Sequence, residues 1–570
     1  MKIKSIKIEN FRSHKDSTIN LRDYNLITGP NSSGKSSIFY AILSFYNNKA
    51  IKFNVSKDVS KFSDGKPCKV KVDYELAPGD NNIRKLLKLD SDTNSISISY
   101  DFNKKEYKCE TDPSISSKDI KNFLKLTKII FIPAIPDSSD AFKLTGPSLM
   151  KETLTDILKV IWEPSQESAQ INKELKKSLS VLNSTKNKNG ISPKDLTEKL
   201  NNAIKSVNLN IRFDTKDIDF STVITNLYDI LVTDTILNQD IDQTTISTGQ
   251  MKYLFYSLIK VLNDINVNRE EGEENSQLNF LIFEEPEAYL HPSYQLSLAE
   301  IMRDLSKSDE WQCAISSHSP YFISKEIEHM QDIVRIERKE KGISKVFQID
   351  ENKFQILREN GDFIDFLNEL KNKKDSSMNK NLKKEIKDKI ENHDRGLDEF
   401  MYNLYLNSER SRLFLSNKVI ICEGISDKVL IDYFIRLKGE NYICEIYVLE
   451  TNGKYDMVRY MKILDYFGIK YGIVYDTDSD KSIDESLAKN LNKYIEQYIK
   501  NHNNNSTYFD KLLFEPNLEE ENGFFIKKND DLKGVNKPLY ILKKIEENEL
   551  PNFQGTKVKI EDFIEKLHKF

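Results

Sequence analysis

Gly29-Pro30-Asn31-Ser32-Ser33-Gly34-Lys35-Ser36 is the stretch on which the reading of this chain turns. It fits the phosphate-loop pattern G-x-x-x-x-G-K-[ST] at every position. Its surroundings fit as well. Tyr24-Asn25-Leu26-Ile27-Thr28 reads as a short apolar strand before it, and Ser37-Ile38-Phe39-Tyr40-Ala41-Ile42-Leu43 as a helix after it. A loop between strand and helix aims several backbone N–H groups at one point, and the helix dipole adds positive potential there. Gly29, Asn31, Ser33, Gly34, Lys35, Ser36 and Ser37 are therefore expected to hold a nucleotide such as ATP. Lys35 would reach the β- and γ-phosphates, and the Ser36 hydroxyl would ligate Mg²⁺. A glycine-rich turn alone would be a common accident; strand, loop and helix in this order are not.

Working outward, 570 residues allow three or four domains with real cores. Hydrophobic residues make up 38% and charged residues 30%, which suits a helix-rich chain without a membrane span. Met1-Lys2-Ile3-Lys4-Ser5 opens a strand and carries no signal-peptide apolar core. The five cysteines, Cys68, Cys109, Cys313, Cys422 and Cys444, form no C-x-x-C pair, the pattern of a reduced, cytoplasmic protein. The formal net charge of −5 neither demands nor excludes nucleic acid, so any DNA contact must come from local basic patches.

Ile3, Ile6, Ile8 and Phe11 give residues 1–28 a strand-like alternation, and 68–75 and 95–101 extend a β-rich lobe. Lys128-Ile129-Ile130-Phe131-Ile132-Pro133 reads as a buried strand stopped by proline. Residues 151–240 switch to helical periodicity. Gln250 to Asn266 forms an amphipathic helix, and 269–276 is an acidic loop. The lysine-rich run 371–395 reads as a solvated helical linker in preference to a DNA-binding arm. From Leu413 strand and helix alternate again, which marks a second α/β domain.

Hydrolysis of ATP needs more than a phosphate loop: an acid to hold Mg²⁺ and a base to orient water. Leu278-Asn279-Phe280-Leu281-Ile282-Phe283-Glu284-Glu285-Pro286-Glu287 delivers two carboxylates at the C-terminal end of an apolar strand, where α/β sheets bind ligands. Glu284 is assigned to the magnesium shell and Glu285 to the attacking water. Ile246-Ser247-Thr248-Gly249-Gln250 opens a long helix and offers an anion site at its N-terminus, so Ser247, Gly249 and Gln250 join the nucleotide set. A third strand, Trp311 to Ser316, leads to His318, which would face the γ-phosphate. A lone histidine is more often structural; one at a strand end in this order favours function.

These pieces resemble the ABC-type ATPase head shared by SMC proteins, Rad50 and RecF. The resemblance rests on the phosphate loop, the degenerate signature Ser247-Thr248-Gly249-Gln250, the acidic strand and the switch histidine. Many such heads carry Asp then Glu where this chain has Glu284-Glu285. The long spacing between Lys35 and Glu284 leaves room for the helical insertion. No glutamine is placed as a Q-loop. In that class the signature of one head completes the ATP site of another, which implies dimerisation.

The C-terminal domain opens with Lys418-Val419-Ile420-Ile421-Cys422-Glu423-Gly424-Ile425-Ser426-Asp427: a strand ending on a carboxylate, a glycine turn, and a helix beginning near Asp427. Residues 446–449 give a second strand, followed by Gly453-Lys454. Tyr471-Gly472-Ile473-Val474-Tyr475-Asp476-Thr477-Asp478 is a third, ending in D-x-D. Residues two apart in an extended chain point the same way, so Asp476 and Asp478 are expected to converge on one cation with Glu423. Such ligands suit Mg²⁺ or Mn²⁺. Two ions about 4 Å apart would activate water and stabilise the leaving oxygen of a phosphodiester. Each carboxylate alone is an ordinary turn; together, in order, they resemble a Toprim domain.

An ABC-type head carrying Glu284-Glu285-Pro286-Glu287-Ala288-Tyr289-Leu290-His291-Pro292, followed by a Toprim domain, resembles the overcoming lysogenization defect (OLD) family of nucleases. The resemblance spans nearly the whole chain and is weakest at 151–240 and 345–412. It implies a glutamate after the D-x-D in the metal site, which maps onto Leu518-Glu519 with Glu520 as the alternative. Asp427 is counted with the metal ligands. The resemblance also implies a lysine near the scissile phosphate, which maps onto Lys537-Pro538, where a cation would stabilise transition-state charge.

The expectation is an α/β multidomain chain: an ABC-type ATPase head with an inserted helical dimerisation subdomain, plus a C-terminal Toprim α/β domain. Its parts are the head over 1–150 and 241–345, the insertion over 151–240, a helical charged linker over 346–412 and the Toprim nuclease domain over 413–570. The expected function is a cytoplasmic, ATPase-regulated, Mg²⁺- or Mn²⁺-dependent DNA endonuclease. Its partners would be DNA, further copies in a dimer or tetramer, and a second defence protein such as a helicase or a retron reverse transcriptase, with no membrane. One rival is a RecF- or SMC-like repair ATPase that binds DNA without cutting it. The other is a topoisomerase-like enzyme, which needs a tyrosine nucleophile.

Overall fold

The computed structural model describes residues 1–134, 246–267 and 278–570. It omits 324–326, 340–341, 373–377, 393–399, 401–403, 405–407, 503–505, 523–536 and 547–552. Between 135 and 245 it describes 148, 170, 173–174, 232–234 and 238–241. Most of the 151–240 insertion, and with it the expected dimerisation helices, lies outside the described residues. The chain divides into two compact units, one of Met1–Pro133, Asn275–Glu287 and Met302–Phe570, the other of Ala134–Glu274 and Ala288–Ile301.

The first unit holds three sheets. The first sheet runs in the order β2-β1-β4-β5-β6. Its strands are β1 (Lys2–Phe11), β2 (His14–Asn20), β4 (Lys69–Glu75), β5 (Ser95–Asp101) and β6 (Glu106–Cys109). All its pairings are antiparallel. Its alternating sequence puts Ile3, Ile6, Ile8, Val70, Val72, Ile96 and Ile98 on the buried face, as expected for a sheet with one wet side.

The second sheet is the frame of the nucleotide site, in the order β13-β12-β3-β11-β10-β7. Five of its strands are parallel: β3 (Tyr24–Thr28), β7 (Thr127–Ile132), β10 (Leu278–Glu284), β11 (Trp311–Ser316) and β12 (Ile333–Arg338). β13 (Ser344–Phe347) closes one edge antiparallel to β12. Parallel strands covered on both faces require continuous apolar runs, and Phe280-Leu281-Ile282-Phe283 and Cys313-Ala314-Ile315 supply them, all fully buried.

The third sheet, β15-β14-β16-β17, is parallel throughout. β14 (Lys418–Cys422), β15 (Ile446–Glu450) and β16 (Lys470–Asp476) fall where the sequence places strands. β17 (Tyr508–Phe514) was not anticipated. Asp510 and Lys511 interrupt its apolar run, which an edge strand tolerates.

The charged linker, expected to be helical and solvated, differs from that reading in its solvation. Glu351–Glu359, Gly361–Asn372 and Lys380–Glu391 are helices. The last is not a free solvated rod. Leu382 and Ile386 are buried, Lys389 Nζ lies 4.1 Å from the Tyr455 ring centroid, and Tyr455 donates to Glu385. Two apolar positions one turn apart were enough to seat a helix whose composition is otherwise polar.

β12 connects the phosphate-loop strand to the third sheet. Its Arg335 lies opposite Thr28 of β3 in register, and its buried guanidinium donates to Phe467 O at 3.0 Å and Ser416 O at 3.1 Å. Gly468 follows at φ 66°, where an added Cβ would lie 2.3 Å from the Phe347 ring of β13, so only glycine permits this approach. Arg335→Met leaves the buried Phe467 carbonyl and the part-buried Ser416 carbonyl without their donor. We expect a loss of about 3 kcal/mol in denaturant-melt stability. A change below about 0.5 kcal/mol would contradict the packing role.

In the second unit, β8 (Val232–Asp234) and β9 (Gln239–Ile241) form a hairpin. The helix Thr248–Val267 brackets the amphipathic span read from the sequence.

Candidate functional site

β3 ends at Thr28, and α1 (Lys35–Phe45) starts seven residues on, with Gly34 left-handed at φ 112° as its cap. At Gly29 a Cβ would lie 2.0 Å from the Ile336 carbonyl oxygen, so the loop runs directly against β12. Ser344 of β13 donates to Ser33 O, which secures the loop from the same side. Lys35 Nζ donates to Gly29 O and Pro30 O, both at 2.9 Å. Burial pushes its pKa down to about 8, with Glu285 and Glu287 pulling the other way. The Ser33 and Thr28 hydroxyls are buried with no protein partner, which fits a loop built to meet phosphate oxygens.

A cavity of about 600 Å³ opens on this loop, lined by Asn31, Ser32, Gly34, Lys35, Ser36, Ser37, Glu285 and His318, and also by Arg12, Lys57 and Arg338. The sequence reading missed these last three cations. They lie far from the motif in the chain, and nothing local marks them.

The Lys35 shift has a consequence for binding. An anion favours the ammonium, so below about pH 8 the nucleotide meets a charged lysine and above it binding must take up a proton. ATP affinity is expected to fall above pH 8, by up to about tenfold per pH unit. In Lys35→Arg, whose guanidinium stays charged, it should stay flat. Calorimetry at pH 7 and pH 9 checks this, and equal affinities for the wild type would contradict it.

β10 brings Glu284 to its C-terminal end, buried and in register with Ser316 of β11. Glu285 follows in a left-handed turn at φ 45°, its N–H donating to Ser316 O at 2.9 Å. That turn sends it into the phosphate-loop cavity. His318 lies across from it, its pKa lowered by burial and then by Lys35, against the pull of Glu285. It is therefore neutral at physiological pH, a hydrogen-bonding group and not a cation.

Glu287, quoted in the motif but given no role, proves to be part of the framework. It accepts from the His318 N–H at 2.7 Å, and burial raises its pKa. Glu285→Gln is expected to bind ATP with near wild-type affinity and hydrolyse it at least about a hundredfold more slowly. Phosphate release close to wild type would remove Glu285 as the water-orienting residue.

Ser247, Gly249 and Gln250 lie in the second unit. Ser247 N and Oγ donate to Gln250 Oε1 at 3.1 and 2.9 Å, and Gln250 N donates back to Ser247 Oγ at 3.2 Å. This reciprocal cap starts the helix Thr248–Val267. Gly249 is needed because a Cβ there would lie 2.4 Å from Tyr289 O.

The third sheet gathers the remaining chemistry. β14 delivers Glu423, whose N–H donates to Val474 O and whose carbonyl accepts from Gly453 N–H at 2.8 Å. Glu423 Oε2 accepts from the Asp476 N–H at 3.3 Å, and Asp476 Oδ1 accepts from the Leu518 N–H at 3.2 Å. Asp478 is buried, but not through an extended D-x-D. The strand stops at Asp476, and Asp478 turns left-handed at φ 49° with its N–H on Pro516 O. The turn, not strand alternation, aims its carboxylate inward.

There it meets Lys454, only 2% exposed. The ammonium donates to Asp478 Oδ2 and to Asp476 O at 2.6 Å, and lies 3.4 Å from Glu423 Oε2. Lys481 Nζ holds the other Asp478 oxygen at 2.5 Å. Burial works to raise the Asp478 pKa, but the hydrogen bonds from Lys454 and Lys481 outweigh it and leave it lowered. Glu423 goes the other way: burial raises its pKa, with Lys454 opposing. The sequence gives Lys454 no role, because nothing in Gly453-Lys454 alone shows that it faces the D-x-D.

Asp427 accepts from the Gly424 N–H at 3.0 Å, capping the helix Ile425–Lys438. Glu519 and Glu520 lie on the short helix Leu518–Glu521, with Glu520 exposed, and Lys537 opens the helix Lys537–Glu546. Among the described residues no group of three or more His, Cys, Asp or Glu side chains is placed to hold a metal ion. The expected convergence of three carboxylates on one point is therefore not seen; Glu423 and Asp478 are joined through the Lys454 ammonium, and the Asp476 carboxylate accepts from the Leu518 N–H. The donor types, carboxylates at one end of a parallel sheet, still suit a hard divalent cation.

Residues 1–142 and 80–323 match the family described as the AAA ATPase domain. Residues 414–478 match the overcoming lysogenization defect protein-like TOPRIM domain. The chain is 23% identical over 496 residues to the Old nuclease of Escherichia phage P2, covering 82% of this chain and 76% of that protein. It is 23% identical over 250 residues to endonuclease GajA of Bacillus cereus (strain HuB5-5), covering 42% of this chain and 32% of that one. An SMC head solved with the C-winged helix domain of ScpA aligns over 62% of this chain and 99% of that one, at 15% identity and a TM-score of 0.37. No described helix is long and apolar enough to cross a membrane. The chain belongs to the AAA ATPase domain family and, with its OLD-like Toprim domain, to the overcoming lysogenization defect family of ATP-dependent nucleases.

Proposed function

We propose that this protein is an Mg²⁺- or Mn²⁺-dependent DNA endonuclease whose Toprim site is regulated by its ABC-type ATPase. The observation that supports the reading is the placement of Glu423 after β14 and of Asp476 and Asp478 at the end of the neighbouring parallel strand β16, with Lys454 reaching both strand ends. The same chain presents a phosphate loop facing Glu285 and His318.

In the ATPase, the loop N–H groups and Lys35 bind the phosphates, Ser36 and Glu284 hold the ion, and Glu285 orients water while His318 contacts the γ-phosphate. Ser247, Gly249 and Gln250 serve the nucleotide of a second head. In the Toprim domain, Glu423, Asp427, Asp476, Asp478 and one of Glu519 and Glu520 are the candidate ligands, and Lys537 contacts the scissile phosphate region. A divalent cation bound there would supply an activated water and charge stabilisation. The protein orients the carboxylates through the Asp478 turn and the Leu518 N–H.

Several finer parts of the proposal rest on the family resemblance: a homo-oligomer formed through residues 151–240, cytoplasmic action, defence against phage, and a second defence protein as partner. The test is a supercoiled plasmid incubated with the full chain and Mg²⁺ or Mn²⁺, with and without ATP. Nicked or linear DNA that disappears with chelator is the expected result. Intact plasmid under every condition would favour a DNA-binding repair ATPase. DNA covalently attached to protein would favour a topoisomerase.

A further inference from the structure

Lys454 is the group in the Toprim site that no role yet accounts for. A lysine this buried is exceptional unless paired, and it is paired three ways: with Asp478 Oδ2, Asp476 O and Glu423 Oε2. Its ring contact is Tyr475, whose centroid lies 5.7 Å from Nζ. Gly453 N bonds to Glu423 O at 2.8 Å and Thr451 Oγ1 to Gly453 O at 2.8 Å, so the loop that carries the lysine is tied to the strand that carries the glutamate. The ammonium thus lies where two carboxylates and a backbone carbonyl point together, the kind of donor set a hard cation seeks. Lys481 also reaches Asp478 but is about half exposed, so its charge is screened and the fixed charge of the cluster is that of Lys454.

We propose that the ammonium of Lys454 is a resident cation of the Toprim site, holding the Asp478 carboxylate in place and setting how tightly the site takes a divalent ion. The inference rests on the Toprim reading above. A positive charge within hydrogen-bond reach of two ligand carboxylates opposes the entry of a second cation. It also prevents the carboxylates from repelling one another when that ion is absent. Lys454 is a positioning residue: it acts on the ligands and through them on the metal.

The sign of the effect separates this role from a merely structural one. If the ammonium competes by charge, Lys454→Met tightens Mn²⁺ binding. If Lys454 only braces the loop, its loss loosens the ligands and weakens binding. The experiment is calorimetric titration of Mn²⁺ into the nucleotide-free full chain, with Asp478→Ala as the reference for binding elsewhere and ATP hydrolysis as the check of folding. Lys454→Met is expected to lower the Mn²⁺ dissociation constant at least about tenfold and to reduce plasmid cleavage. Lys454→Arg, which keeps the charge, is expected to stay within about threefold of wild type.

Mn²⁺ affinity in Lys454→Met equal to or weaker than wild type overturns the proposal. Should that variant not fold, loss of Mn²⁺ binding in a folded Lys454→Arg overturns it equally. Mn²⁺ binding and cleavage that are indifferent to Asp478→Ala would instead sink the Toprim reading beneath it.

Discussion

Asp478→Ala is expected to lower DNA cleavage by at least about a hundredfold while ATP hydrolysis stays within about threefold of wild type. The physical ground is local. Asp478 is buried in a left-handed turn, its two oxygens taken by Lys454 and Lys481. Removing the carboxylate deletes a proposed metal ligand and also leaves two ammonium groups without their shared anion. Their mutual repulsion then falls on the strand ends that hold Glu423 and Asp476, so the loss is not limited to one ligand. Glu423→Ala and Asp476→Ala should give the same separation. Lys537→Ala should weaken cleavage with metal binding largely intact, because it is assigned to the phosphate and not to the ion. The ATPase elements use none of these side chains, and the phosphate-loop cavity is lined by other residues.

The second large effect lies in the head. Lys35→Ala is expected to reduce ATP hydrolysis at least about a thousandfold. Lys35 is the cation of the loop itself; its Nζ bonds to Gly29 O and Pro30 O, at the point where phosphate oxygens would arrive. Arg12, Lys57 and Arg338 also line the cavity, so ATP binding should weaken without vanishing. Cleavage measured without nucleotide should match the nucleotide-free wild type, since Lys35 has no part in the Toprim cluster. Residual hydrolysis above about a tenth of wild type would mean that one of the three outer cations carries the charge instead.

Much of this architecture was legible in the sequence because parallel strands announce themselves as unbroken apolar runs. Phe280 to Phe283 and Val419 to Cys422 could be placed, and their strand-end carboxylates followed. The phosphate loop was legible for the same reason: its glycines, lysine and serine are contiguous. Three kinds of feature were not. β17 carries Asp510 and Lys511 inside its run, which hides an edge strand from any periodicity count. The linker helix Lys380–Glu391 was read as solvated because its two buried residues, Leu382 and Ile386, are too few to stand out against its lysines. Lys454, Glu287, Arg12, Lys57 and Arg338 take their meaning from residues far away in the chain. The inward turn of Asp478 was not legible either: strand alternation does not produce it, and it comes from a positive-φ turn held by Pro516 O. The insertion at 151–240 and the side chains of Glu519 and Lys537 lie outside the described residues, so their proposed roles rest on sequence resemblance.

Two sites with different chemistry on one chain is the central claim, and one paired measurement tests it most directly. Wild type, Asp478→Ala and Lys35→Ala are purified side by side and assayed for phosphate release from ATP and for Mn²⁺-dependent cleavage of supercoiled plasmid. The expected pattern is crossed: Asp478→Ala hydrolyses ATP and leaves the plasmid intact, whereas Lys35→Ala hydrolyses no ATP and still cuts in the absence of nucleotide. Cleavage by Asp478→Ala at the wild-type rate would contradict the account, reducing the D-x-D to a surface turn and the protein to an ATPase that binds DNA without cutting it.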